Sequence, residues 1–174
     1  MIRLARIWRR LWRNQRGATV VEFALLIGPF LFLLMGTMEV SMQYFVATAM
    51  DHSVQRTARL VRTGQAQTQG LTAEDLREAM CDHIYDLFDC MDNSFIEVVE
   101  LDSLAATTYT LPVDANGEFT GSQPYEAGVG GSYIIVRGFF QFSPLFDVFG
   151  ALAPRLANGN RIVVASALFR NEPF

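Results

Sequence analysis

The feature that most restricts how this chain can fold is an uncharged apolar run near its N-terminus. Residues 23–38 carry no charge, and apolar residues continue beyond Glu39 as far as Val46. A helix of about 20 apolar residues crosses the hydrocarbon core of a bilayer, so the sequence predicts a transmembrane helix over residues 18–44. One carboxylate, that of Glu22, lies at the start of this helix. Because a charge inside hydrocarbon costs at least about 2.5 kcal/mol, Glu22 is a candidate functional residue.

The charges are distributed unevenly along the 174 residues. The chain beyond residue 16 holds all 18 acidic residues and eight arginines, a net charge of -10, and the sequence has no lysine. Residues 1–16 hold no acidic residue and six arginines, namely Arg3, Arg6, Arg9, Arg10, Arg13 and Arg16. The positive-inside rule predicts a single-pass protein of the cytoplasmic (inner) membrane, with its N-terminus in the cytoplasm and residues 45–174 outside. The acidic body argues against nucleic acid as a partner.

Residues 1–16 allow two interpretations. On a helix that turns by about 100° per residue, the arginines share one side, and most of the leucine, isoleucine and tryptophan residues lie opposite. Such a segment could lie in the headgroup layer of the lipid bilayer. It could equally be a disordered basic tail that only fixes the topology of the membrane span.

The segment RGATVVEF, residues 16–23, resembles the processing site of type IV prepilins, in particular those of tight-adherence (Tad, or Flp-type) pili. In that family a membrane-embedded peptidase cuts after a glycine, and the product has glutamate at its fifth position and an aromatic residue at its sixth. A cut between Gly17 and Ala18 would place Glu22 fifth and Phe23 sixth. The longer segment GATVVEFALLIGPFLFLLMGTMEV and the C-terminal LFRNEPF are similar to the TadE family of minor pilins.

This resemblance implies a structural subunit that a prepilin peptidase processes. Residues 1–17 would be a basic cytoplasmic leader that is removed, and the product could be incorporated in the pilus. The implied partners are a second minor pilin, the major pilin and the inner-membrane assembly platform. A free amine at Ala18 would need a counter-charge in a medium of low dielectric constant, and the Glu22 carboxylate could supply it within one subunit or from a neighbour.

Two other functions stay open. The chain could be an uncleaved single-pass protein with an external binding domain, or a membrane-anchored extracytoplasmic enzyme. The sequence has only two histidines, and no pairing of a nucleophile with a base is visible. We therefore expect no catalytic residue, no metal site and no cofactor.

The apolar helix is predicted to continue out of the membrane. Over residues 45–63 apolar residues recur at three- and four-residue steps, which indicates an amphipathic helix, and Gly64 is expected to end it. Gly28 and Pro29 predict a bend, because proline cannot donate an N–H group to the carbonyl four residues earlier. Glu39 could mark the outer edge of the membrane or take part in packing.

Residues 64–174 are predicted to form a small extracytoplasmic head. After a polar linker, Thr72 and Asp75 form the capping box of a helix that runs to about Leu87. Outside the cytoplasm, Cys81 and Cys90 are expected to form a disulfide, which requires the helix to break before Cys90 because the Cα atoms must come within about 7 Å. Zinc bound by these cysteines and His83 is an alternative that lacks a fourth ligand.

The rest of the head is predicted to be mainly β-structure. A helix is expected to follow Ser143, with Pro144 at its first position, and an Asn-Gly turn is expected at residues 116–117. Residues rich in β-branched and aromatic side chains predict four strands, at 95–101, 107–113, 132–142 and 161–169. The predicted fold class is therefore α+β, with a long N-terminal helix and a head of short helices packed on an antiparallel sheet.

Overall fold

The computed structural model describes residues 17–84, 89–103, 111–121, 123–147, 150 and 155–174. The six arginines of the predicted leader lie outside these residues. The helices are α1 (Ala18–Arg62), α2 (Gln65–Gln69), α3 (Ala73–Asp82) and α4 (Cys90–Asn93). The strands are β1 (Ser94–Leu101), β2 (Tyr133–Phe142) and β3 (Arg161–Arg170). These elements confirm the predicted α+β class.

Helix α1 changes its surroundings along its length. Every residue from 18 to 35 is exposed except the half-buried Ile27. From Val46 onward one stripe of the helix is buried, at steps of three or four residues: Val46, Met50, Val54, Ala58 and Val61. The helix has 45 residues and is about 67 Å long. Its buried residues begin at Gly36 and Glu39, so the part before Gly36 lies outside the head. Gly64, in the left-handed conformation with φ 77°, follows the helix end as predicted.

The sheet has the order β1-β2-β3, and both pairs of strands are antiparallel. Gly138 of β2 lies between Ile96 on β1 and Ala165 on β3, on the sheet face that packs against α1. A Cβ atom at Gly138 would lie 2.5 Å from Cγ2 of Val54 and 3.0 Å from Sδ of Met80. Glycine therefore lets α1 and α3 approach the sheet closely over the core.

The capping box of α3 is present as predicted. The Thr72 hydroxyl accepts a hydrogen bond from the Asp75 N–H at 3.2 Å, and the Asp75 carboxylate accepts the Thr72 N–H at 2.7 Å. The helix ends at Asp82, so the predicted end near Leu87 is wrong. This early end brings the Cα atoms of Cys81 and Cys90 to 5.6 Å, and a disulfide joins the two residues.

Two local predictions are wrong for identifiable reasons. The segment predicted as a polar linker contains α2, a single helical turn that is bounded by Gly64 and Gly70, both with positive φ, and that buries Ala66. No helix begins at Pro144, because the Phe146 N–H donates to the carboxylate of Glu39 and Asp147 adopts a positive φ of 45°.

The remaining β predictions have mixed outcomes. The strands predicted at 95–101, 132–142 and 161–169 correspond to β1, β2 and β3. The strand predicted at 107–113 lies mostly outside the described residues. The Asn-Gly turn is present, because the Gly117 N–H donates to the Asp114 carbonyl at 3.1 Å, and Val113 and Phe119 form an antiparallel bridge around it.

Candidate assembly site on the long helix

The predicted processing site lies where α1 begins. Gly17 occupies the N-cap position and Ala18 is the first residue of the helix. Both residues are exposed. A cut between them would therefore remove the leader and leave the whole helix intact, with its first residue at the new N-terminus.

Glu22 lies one helical turn beyond Ala18. The separation of four residues corresponds to a rise of about 6 Å along the axis and places the two residues on the same side of the helix. Glu22 and the adjacent Phe23 are exposed. The head therefore leaves the Glu22 carboxylate accessible to a neighbouring helix.

The exposed half of α1 has a surface suited to lipid or to other helices. Apart from Glu22, the exposed large side chains between residues 20 and 35 are apolar: Val20, Val21, Phe23, Leu25, Leu26, Phe30, Leu31, Phe32, Leu33, Leu34 and Met35. The core helix of a soluble protein would bury such residues, whereas α1 is long and apolar enough to cross a membrane and leaves them uncovered. The described helix continues through Pro29, and the bend at Gly28 and Pro29 stays a prediction.

Glu39 takes part in packing, which is one of the two roles considered for it. Its side chain is 2% exposed, and its Oε1 lies 3.2 Å from Nη1 of Arg161, whose side chain is 5% exposed. Arg161 is the first residue of β3. The Gln43 side chain, one turn beyond Glu39, accepts a second hydrogen bond from the same Nη1 at 3.4 Å. A buried ion pair therefore joins the long helix to the sheet.

The same carboxylate holds the segment 143–147. Its Oε2 accepts the backbone N–H of Phe146 at 3.1 Å. The Asp147 carboxylate lies 3.8 Å from Nη2 of Arg161 and accepts a hydrogen bond from Arg155 at 2.8 Å. Helix α1, the segment 143–147 and strand β3 thus meet at Glu39. Sequence reasoning did not identify Arg161 or Phe146, because no spacing or motif connects them with Glu39.

The C-terminal residues that carried part of the resemblance pack against the other end of α1. The Glu172 N–H donates to the Arg62 carbonyl at 3.0 Å, and the two side chains form an ion pair at 3.2 Å. Asn171 is buried, and its amide donates to the Ala127 carbonyl at 2.9 Å. The ring of Phe174 occupies the space in which Gly64 would carry a side chain. This segment therefore fixes the point where α1 ends.

The disulfide argues against a zinc site at Cys81, His83 and Cys90. Because both sulfur atoms are bonded to each other, Cys81 and Cys90 have no thiolate to offer a metal ion. Their pairing links α3 to the first residue of α4 and contributes to the stability of the head. Of the predicted site residues, the structure therefore brings together the two cysteines, while Gly17, Ala18, Glu22 and Phe23 stay on the exposed helix.

The segment that starts at Gly17 matches a known protein family. Residues 17–59, about a quarter of the chain, match the family described as TadE-like protein. Comparisons with curated proteins and with solved structures give no significant match. The matched residues contain Gly17, Ala18, Glu22, Phe23 and most of α1. The predicted resemblance to the TadE family is confirmed for residues 17–59, over which this chain is similar to TadE-like proteins.

Proposed function

We propose that this protein is a minor pilin-like subunit required for the assembly or function of a tight-adherence pilus. A prepilin peptidase cuts it after Gly17, α1 anchors it in the inner membrane, and the head lies outside the cytoplasm. Its role is structural and not catalytic. The observation that carries the proposal is that the family match begins at Gly17 and covers a helix whose residues 18–35 are exposed, apart from the half-buried Ile27.

The exposed half of α1 explains how such a subunit would assemble. In the membrane its apolar side chains contact lipid, and in a complex they contact the helices of the second minor pilin and the major pilin. Helices that pack in this way bury the charged N-terminus of Ala18, and a buried charge is tolerated only when it is paired. Glu22, one helical turn beyond Ala18, supplies the carboxylate that pairs with this amine. The assembly platform in the inner membrane would recognise the same segment.

The first experiment determines the N-terminus of the protein extracted from membranes. Cells that contain the prepilin peptidase should yield a chain that begins at Ala18, and cells without it should yield the intact chain. A Gly17→Leu variant is the matched control, because its side chain would obstruct the extended backbone in a peptidase groove. Intact chain in cells with an active peptidase would contradict the proposal and favour the uncleaved single-pass binding protein.

The second experiment tests the carboxylate. Glu22→Ala makes the helix more apolar and should allow both insertion and cleavage, yet it should abolish co-purification with the other pilins and reduce piliation. Thr19→Ala, a change in the same turn that removes no charge, is the control and should leave both unchanged. Normal piliation and normal co-purification of the Glu22→Ala variant would refute the role assigned to this residue.

A further inference from the structure

We propose that the head dips into the outer leaflet of the membrane through an apolar surface beside α1. This membrane-proximal groove is formed by Met38, Met42 and Phe45 of the helix and by Leu145 and Phe146 of the segment 143–147. Its occupant is lipid, at the boundary between acyl chains and headgroups. The inference rests on the proposed anchoring of α1 and adds a second contact of the same chain with the bilayer.

The groove lies on α1 at the level where a membrane span that starts at Ala18 would end. Ala18 and Glu39 are 21 residues apart, which corresponds to about 31 Å of helix and so to the thickness of the hydrocarbon core. When Ala18 lies at the cytoplasmic boundary, Glu39 reaches the opposite boundary. The groove lies around Glu39 and extends to Phe45, about 9 Å further along the axis. It therefore lies at the level of the outer headgroups.

The lining of the groove is mostly apolar. Leu145 is 59% exposed and Phe146 is 46% exposed, although they are consecutive apolar residues of the head. The two polar residues of the lining, Thr37 and Ser41, direct their hydroxyl groups to carbonyls of their own helix, at 2.8 and 2.7 Å. Among the residues that the structure describes, no ionised side chain is part of the lining. The surface is therefore unfavourable in water and compatible with lipid.

A hydrogen bond fixes the position of the segment 143–147 along the axis of α1. The Phe146 N–H donates to the buried carboxylate of Glu39 at 3.1 Å. This bond holds the backbone at the membrane boundary and leaves the side chains of Leu145 and Phe146 exposed beside the helix. Tyr44 of α1 is also exposed, and aromatic side chains of this kind are enriched at membrane boundaries.

Continuity with the exposed span favours lipid over a second copy of the chain. The groove follows directly on the apolar surface of residues 18–35, without a charged residue at the surface in between, because Glu39 is turned into the head. Whatever surrounds the exposed span therefore also reaches the groove. In a bilayer at low protein density, that surrounding medium is lipid.

The experiment measures depth in the bilayer with the full chain in phosphatidylcholine vesicles. Leu145→Cys is labelled with an environment-sensitive fluorophore without prior reduction, so that the native disulfide stays closed. Quenching by a spin-labelled lipid is compared with quenching by aqueous iodide. Leu168→Cys is the control within the head, because Leu168 is exposed and lines the same cleft as Arg59, about 30 Å beyond Glu39 along α1. Leu26→Cys reports on the span itself.

The expected result is that lipid quenches the label at 145 more than iodide does, while the label at 168 behaves in the opposite way. If the label at 26 is quenched by lipid and the label at 145 is quenched only by iodide, the inference is wrong and the anchoring of α1 stands. If the label at 26 is not quenched by lipid, anchoring itself fails and the inference fails with it. Protection of 145 from both quenchers that increases with protein density would identify a second copy as the occupant and overturn the assignment to lipid.

Discussion

Removal of one partner of the buried ion pair between Glu39 and Arg161 should destabilise the head strongly. Arg161→Met leaves the carboxylate without its cation in a site that is almost closed to water. Glu39→Gln removes the opposite charge and keeps an oxygen that can accept the Phe146 N–H. The two variants therefore separate the effect of the ion pair from the effect of the hydrogen bond to the loop.

The burial of both groups sets the magnitude. Breaking a buried ion pair by removing one partner typically costs about 3–5 kcal/mol, because the remaining charge is desolvated and unpaired. We expect Glu39→Gln to lose about 3 kcal/mol of the free energy of unfolding, at the lower end because Gln43 and Asp147 stay near the remaining Arg161. Arg161→Met leaves Glu39 without its cation and should lose about 3–5 kcal/mol. The double variant leaves no buried charge and should lose clearly less than the sum of the two single losses.

The assay is pulse proteolysis of the full chain in detergent micelles over a series of urea concentrations, which reports the fraction of folded head without relying on the helix signal. Arg155→Met is the matched control, because Arg155 pairs with Asp147 at 2.8 Å while the two side chains are 43% and 41% exposed. An exposed pair of this kind contributes less than about 1 kcal/mol. The reasoning is refuted if Arg161→Met costs no more than this control, or if the double variant equals the sum of the single losses.

Three further predictions concern the head. Cys81→Ser should lower the free energy of unfolding by about 2–3 kcal/mol, because the disulfide closes a loop of about ten residues. Urea denaturation of the oxidised wild type and of the variant measures this loss. Alkylation of both thiols in the wild type without prior reduction would contradict the presence of the disulfide. Gly138→Ala should cost about 1–3 kcal/mol in the same assay, since the added methyl group overlaps with Val54 in the core, and an unchanged midpoint would show that α1 can move away. Burial raises the pKa of Glu97 above its ordinary value of 4.5, and the Arg137 guanidinium offsets part of this rise. Because the folded state then binds the proton more tightly than the unfolded chain, the stability of the wild type relative to Glu97→Gln should fall as the pH rises from below 4.5 through the raised pKa. A difference in stability that does not change with pH would contradict the shift.

The sequence predicted those parts of the structure that depend on local signals. The bounds of α1 follow from an apolar run that continues into an amphipathic pattern and from Gly64 at its end. The capping box of α3 follows from the spacing of Thr72 and Asp75. Three strands follow from runs of β-branched and aromatic residues. In each case the residues that decide the structure are close together in the sequence.

The errors occurred where distant residues override a local preference. Ser143 and Pro144 are suitable residues for a helix start, but the backbone at Phe146 bonds to Glu39, more than a hundred residues earlier in the chain. The polar composition of residues 63–70 indicated a linker, yet Ala66 is buried against the core and a helical turn forms. Contacts of this kind form only after the chain has folded, so no local pattern contains them.

The two glutamates of α1 also differ in their surroundings in a way that the sequence could not reveal. Glu22 and Glu39 are 17 residues apart, which on an α-helix rotates their directions by about 100° relative to each other. Val46 and Met50 point within about 20° of Glu39, so the head packs along the Glu39 side of the helix. Glu39 is neutralised there by Arg161, inside the same chain. Glu22 is exposed on the part of α1 that the head does not cover, and under the proposed function its counter-charge is the amine of Ala18, in this helix or in a neighbouring one.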